Sequence, residues 1–227
     1  MKLATLSTEQ KQQLERFSDA GGVVDFILFE CDEDTSNYEI HRKAVILGFK
    51  ELQRRCAEDA EQFSEEEDIP INNFFQINID EDAVRSLIPV QISWEKFFGT
   101  RYDNERQGLI VRGKGDFWNS FFYYSDPAKR ANIIPDEKID DGVGVGFAYA
   151  FSSPPHGLGL PTIDLGEFFD KFLNVIICGS ADSIIYEWPT SWSNYFEAGD
   201  EWWGSFLWSL SNPESNQIVV IAASTTD

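Results

Sequence analysis

Long apolar runs, paired cysteines, histidines and, towards its end, positive charge are all scarce in this 227-residue chain. Charge interrupts every apolar stretch well short of the ~18 residues that a membrane-spanning helix needs. The opening MKLATLSTEQKQQ lacks the apolar segment of a secretory signal, so a cytoplasmic location is expected. Cys31, Cys56 and Cys178 are odd in number and far apart, which fits free thiols in a reducing compartment rather than a disulfide frame. With only His41 and His156, a histidine-rich metal centre cannot be built, and the cysteine spacing fits no ligand set. No metal and no cofactor are therefore expected.

Catalytic signatures are missing as well. There is no GxSxG, HExxH, paired CxxC or EF-hand loop. Gly108 to Lys114 resembles a phosphate loop only in outline: Gly115 stands where a magnesium-binding Ser or Thr belongs, and Leu109, Ile110 and Val111 read as strand. Gly142, Gly144 and Gly146 alternate without the helix that a dinucleotide fingerprint requires, which suggests close packing or a bulge. Asp32 and Asp34 begin like a calcium loop, but Asn37 replaces its glycine and Lys43 its bidentate Glu. Acids before a helix N-terminus explain them as well.

What the chain has in abundance is negative charge, with 39 acidic against 18 basic residues and a net charge of −21. Residues 1–70 carry −9, residues 71–138 only −1, and residues 139–227 carry −11 with Lys171 as their single base. Such a surface repels nucleic-acid phosphate and anionic lipid and attracts basic proteins or cations, although acidity can also serve solubility alone. Apolar residues at 42% and aromatics at 15% are too many for a disordered chain. They suffice for one α+β domain, with a weak boundary near 64–70 as the only place to divide it.

The elements follow from periodicity. Ser7 caps a helix through TEQKQQLERFSDA, stopped by Gly21-Gly22, and VVDFILFE (23–30) reads as a strand. A long helix over about 38–63 lines up Val45, Phe49, Leu52, Cys56, Ala60 and Phe63 at helical spacing, and EEED (65–68) reads as solvated loop. Short helices follow from Asp80 and in SWEKFFG, then a hairpin in 107–126 turning at Gly113-Lys114-Gly115. GVGVGFAYAFS (142–152) reads as a strand, and Asp164 as the cap of a helix over about 164–177. SIIYEW is a strand, and 204–225 a hairpin turning at 212–216. The expected fold is thus α+β: a mainly antiparallel sheet in the C-terminal two-thirds, N-terminal helices, and the 164–177 helix packed on the sheet.

One segment stands out chemically. Between Glu187 and Gly204 lie Trp188, Trp192, Tyr195, Phe196, Trp202 and Trp203, interleaved with Glu197, Asp200 and Glu201. Rings flanked by carboxylates can cage a cation or anchor a basic partner. They can equally stack on a sugar with Glu197 and Glu201 as an acid/base pair, or pack as core with their N–H groups satisfied locally. His156, on the loop SSPPHGLGL, is the other candidate, as a base for a serine or cysteine.

In general character, acidic, α+β and without a catalytic motif, the chain looks like bacterial immunity proteins and antitoxins; the likeness is one of type, and no residue role comes with it. The leading expectation is a non-enzymatic binding or inhibitor protein that engages a basic protein. The alternative is a hydrolase using carboxylates in an aromatic-lined cleft.

Overall fold

The computed structural model describes residues 1–112, 121–123, 133–134, 145–180, 182–200 and 203–225. Its frame is a six-stranded antiparallel sheet in the order β1-β2-β10-β9-β8-β3. The strands are β1 (Lys2–Leu3), β2 (Val24–Glu30), β3 (Val90–Ile92), β8 (Ile184–Glu187), β9 (Phe206–Asn212) and β10 (Gln217–Ala223). A smaller antiparallel sheet joins β4 (Tyr102–Asp103), β5 (Gly108–Arg112), β6 (Phe121–Tyr123) and β7 (Ile133–Ile134). The α+β class therefore holds, but the sheet is not confined to the C-terminal part. Strand β2 pairs along its whole length with β10, from Val24↔Ala223 to Glu30↔Gln217. Strands from both sides of residues 64–70 thus share one sheet.

Because β2 and β10 are apolar on both faces, the sheet needs cover on both sides. On one side lies α2 (Tyr38–Glu67), whose Ala44, Val45, Phe49 and Leu52 pack with Ile27, Phe29, Ile218 and Val220 of the strands. On the other lie α1 (Thr8–Asp19), α4 (Trp94–Phe98), α5 (Phe147–Ser152) and α6 (Thr162–Phe172), which bring Phe17, Phe97, Phe147, Phe151, Phe169 and Phe172 against Phe26, Trp208 and Ile221. The short α3 (Glu81–Ser86) adds Val84 to the α2 side.

Local signals explain most boundaries. Ser7 and Gln10 form a reciprocal capping box at α1, Asp80 caps α3 and Ser93 caps α4. The expected hairpin in 107–126 is present as β5 and β6 in the register Ile110↔Tyr123, its turn outside the described residues. The C-terminal hairpin pairs Asn212 with Gln217, as its turn residues suggest.

Three expectations are corrected. The stretch read as a strand over 142–152 is helical from Phe147 to Ser152; Phe147, Ala148, Ala150, Phe151 and Ser152 are all buried, so no polar face betrays the helical period. Its Gly146 is where packing demands glycine: φ is +91°, and a Cβ there would stand 2.6 Å from the Gly99 Cα. Gly142 and Gly144 lie outside the described residues. The acidic run Glu65–Glu67 belongs to α2, which ends at Asp68 in the left-handed conformation (φ 53°). Asp164 sits in the first turn of α6 rather than at its cap, since the helix starts at Thr162 after Pro161, and residues Leu173–Ile177 continue it as a π-helical turn. The strand β3 was not expected at all.

All three cysteines are free: Cys31 is buried, while Cys56 and Cys178 are partly exposed. A thiol reagent should therefore label Cys56 and Cys178 in the native protein, Cys178 more slowly because burial pushes its thiol pKa up. Cys31 should react only on unfolding. A total below three in denaturant would contradict this pattern.

Candidate functional site

The aromatic segment is held down by its indoles. Trp188, Trp192 and Trp203 are all buried, as is Phe196. Trp188 Nε1 donates to Ser209 Oγ at 2.7 Å, Trp192 Nε1 to the Pro189 carbonyl at 2.7 Å, and Trp203 Nε1 to the Ser153 carbonyl at 2.7 Å. The partners are thus serine and backbone oxygens, not the carboxylates beside them in sequence. Trp192 meets Phe49 of α2 edge-on at 4.5 Å, which pins the segment to the core. Glu197 opens the short helix α7 (Glu197–Asp200); it and Asp200 are exposed, and Ser205 hydrogen-bonds to Asp200. Glu201 and Trp202 lie outside the described residues. The segment's tryptophan rings that are described therefore point into the protein, and its described carboxylates point out.

His41, set aside in the sequence in favour of His156, sits at the centre of a buried polar cluster. It occupies the inward stripe of α2 one turn before Val45 and is 0% exposed. The Thr35 carbonyl can only accept, so Nε2 carries the hydrogen and donates to it at 3.0 Å. Nδ1 then accepts from the Ser209 hydroxyl at 2.8 Å, while Ser209 accepts from Trp188. Ser211 donates to the same Thr35 carbonyl at 3.2 Å. Burial pulls the His41 pKa down to about 4, against the pull of these hydrogen bonds, so the ring is neutral at physiological pH. A Ser–His contact of this length is the spacing of a nucleophile–base couple, but both side chains are fully buried, which closes them to substrate. The cluster satisfies the polar groups that tie the start of α2 to β9. His156 lies exposed on the loop after α5.

A second titratable group lies where the sheet meets open space. Asp25, the one acid within the apolar run VVDFILF, shares the α2-facing side of β2 with Ile27 and Phe29. Its Oδ2 accepts from the Tyr195 hydroxyl at 2.7 Å. Burial pushes its carboxyl above the ordinary range, opposed by the Tyr195 hydrogen bond and the Arg55 charge. Burial and the neighbouring Asp25 also hold Tyr195 well above its ordinary value, so it stays a neutral donor. Two adjoining clefts, of about 410 and 380 Å³, share Asp25 and Arg55 in their walls. The first adds Tyr195 and Ser224; the second adds Asp59, Phe63, Phe74 and Phe75. Nothing in the aromatic segment's sequence pointed to Asp25, but a lone acid inside an apolar strand is a readable signal.

Among the described residues no group of His, Cys, Asp and Glu could hold a metal ion, and no helix is long and apolar enough to cross a membrane. Comparison of the chain with protein-family models, curated proteins and solved structures finds no match.

Proposed function

We propose that the chain is a non-enzymatic cytoplasmic binding protein whose acidic surface engages a basic protein, as an inhibitor does. The observation that carries this reading is the far half of α2 with the segment after it. Residues 56–76 hold Glu58, Asp59, Glu61, Glu65, Glu66, Glu67 and Asp68 without a single Lys or Arg, and all seven acids are exposed. Among them stand four large exposed apolar side chains, Phe63, Ile69, Ile71 and Phe75. Carboxylates in the last turn of a helix oppose its dipole, and α2 has no basic residue there to compensate. An arrangement that costs local stability and leaves apolar rings in water fits a surface kept for a partner. The acids steer a basic protein in, and the apolar side chains supply the anchor.

Reversing charge tests this directly. The full chain and its Glu65→Lys/Glu66→Lys/Glu67→Lys variant are used as baits in native lysate at low and raised salt. The expected result is a captured protein, identified by mass spectrometry as basic, that is released by salt and missed by the variant. A captured protein that is acidic, or retained equally by the variant, would overturn the reading.

A further inference from the structure

We propose that the cleft walled by Asp25 and Asp59 receives the guanidinium of an arginine side chain from the basic partner, an inference that rests on the binding role argued above. The acidic stretch of α2 runs straight to this cleft, because Asp59 and Phe63 belong to both. Inside it, Asp25 is only partly compensated. Tyr195 occupies Oδ2, and no described donor reaches Oδ1. Arg55 acts on Asp25 through its charge, while its Nε donates to Glu51 at 2.8 Å. A half-buried carboxylate with one oxygen open to a cleft is a receptor for a cation.

The surroundings select the kind of cation. Phe63, Phe74 and Phe75 line the cleft together with Asp59 and Asp25, so a side chain bound there has aromatic rings as well as carboxylates for neighbours. Arginine suits that lining better than lysine: its planar, weakly hydrated head stacks on rings and presents a fork of donors to a carboxylate. The clefts are also of the size that proteins use to bury a ligand group.

Octa-arginine and octa-lysine peptides serve as probes of the full chain, titrated by calorimetry at low salt. The wild type should bind octa-arginine more tightly than octa-lysine. Asp25→Asn keeps an acceptor for Tyr195 and removes the charge; it should weaken octa-arginine binding about 30-fold while the melting temperature stays equal or rises. Asp59→Lys, at an exposed position, should weaken it comparably without touching the fold. If both variants bind as the wild type does, while the Glu65/Glu66/Glu67 reversal still weakens binding, the cleft proposal is overturned and the acidic-face reading stands. If the wild type binds neither peptide, both fall. Equal affinity for the two peptides overturns the arginine assignment.

Discussion

Truncating Trp192 to alanine is expected to cost about 3–5 kcal/mol of stability, the range for a buried aromatic replaced by a methyl group. Its ring is 5% exposed and wedged between Phe49 at 4.5 Å and Phe196 at 5.9 Å. Removing it also leaves the Pro189 carbonyl without its indole donor. The neighbouring backbone would follow, because the Trp192 carbonyl accepts from Asp80 N at 2.9 Å and so holds the start of α3. Denaturant unfolding of wild type and variant measures the loss directly. A cost below about 1 kcal/mol would mean that the ring is not part of the packed core at all.

The second large effect is acid sensitivity centred on His41. Its folded pKa of about 4 lies below the ordinary 6.5, so the proton binds the unfolded chain more readily than the folded one. This contribution to stability is complete above about pH 6.5 and is lost as pH falls towards 4. At pH 4.5 the loss should be about 2.5 kcal/mol. Asp170, whose carboxyl burial raises to about 6, works in the opposite direction, losing its contribution as pH rises through that value. The clean measurement is therefore a comparison. His41→Gln cannot take up the proton, so its stability should change less between pH 7 and 4.5 than that of the wild type by the same amount. Parallel slopes for the two proteins would show that burial does not hold His41 neutral.

Where residues advertised their own surroundings, the fold could be read directly. Ser7, Asp80 and Ser93 satisfy helix N–H groups through their own side chains, and the Asn212–Asn216 turn separates an aromatic and leucine-rich run from a β-branched one. Those signals are local and do not need the rest of the chain. The stretch 142–152 failed for the opposite reason. Helix α5 buries all its residues but Tyr149, and without a polar face its Phe147-Ala-Tyr-Ala-Phe-Ser152 sequence carries no period to distinguish helix from strand. Strand β3, three residues long and set just after Pro89, exists because β8 offers it Ile185, Tyr186 and Glu187 to pair with, a tertiary fact invisible beforehand.

The site was legible in the same uneven way. That Trp188, Trp192 and Trp203 turn inward depends on Ser209, Pro189 and Ser153, only one of which is near its tryptophan in sequence. From the chain alone, rings beside carboxylates suit a cage and a core equally. The two clefts that meet at Asp25 and Arg55 join these to Asp59 on one side and Tyr195 on the other, and no spacing rule connects them. Only the acid breaking an apolar strand, and the seven acids without a base in 56–76, were on view.

The order of strands in the large sheet has a bearing on how the chain is made. The pair β1-β2 and the group β3-β8-β9 are joined only through β10, the last strand in chain order. Phe26, Ile27, Leu28 and Phe29 must therefore wait for residues 218–221, nearly the full length of the chain. At ~5–20 residues per second, synthesis leaves β2 for about ten to forty seconds with only the two-residue β1 as a neighbour. Closing so distant a pairing is slow for reasons of chain entropy, and an apolar strand exposed meanwhile is open to intermolecular pairing. The seam between β2 and β10 is thus also a point of exposure to aggregation while the chain is being synthesised.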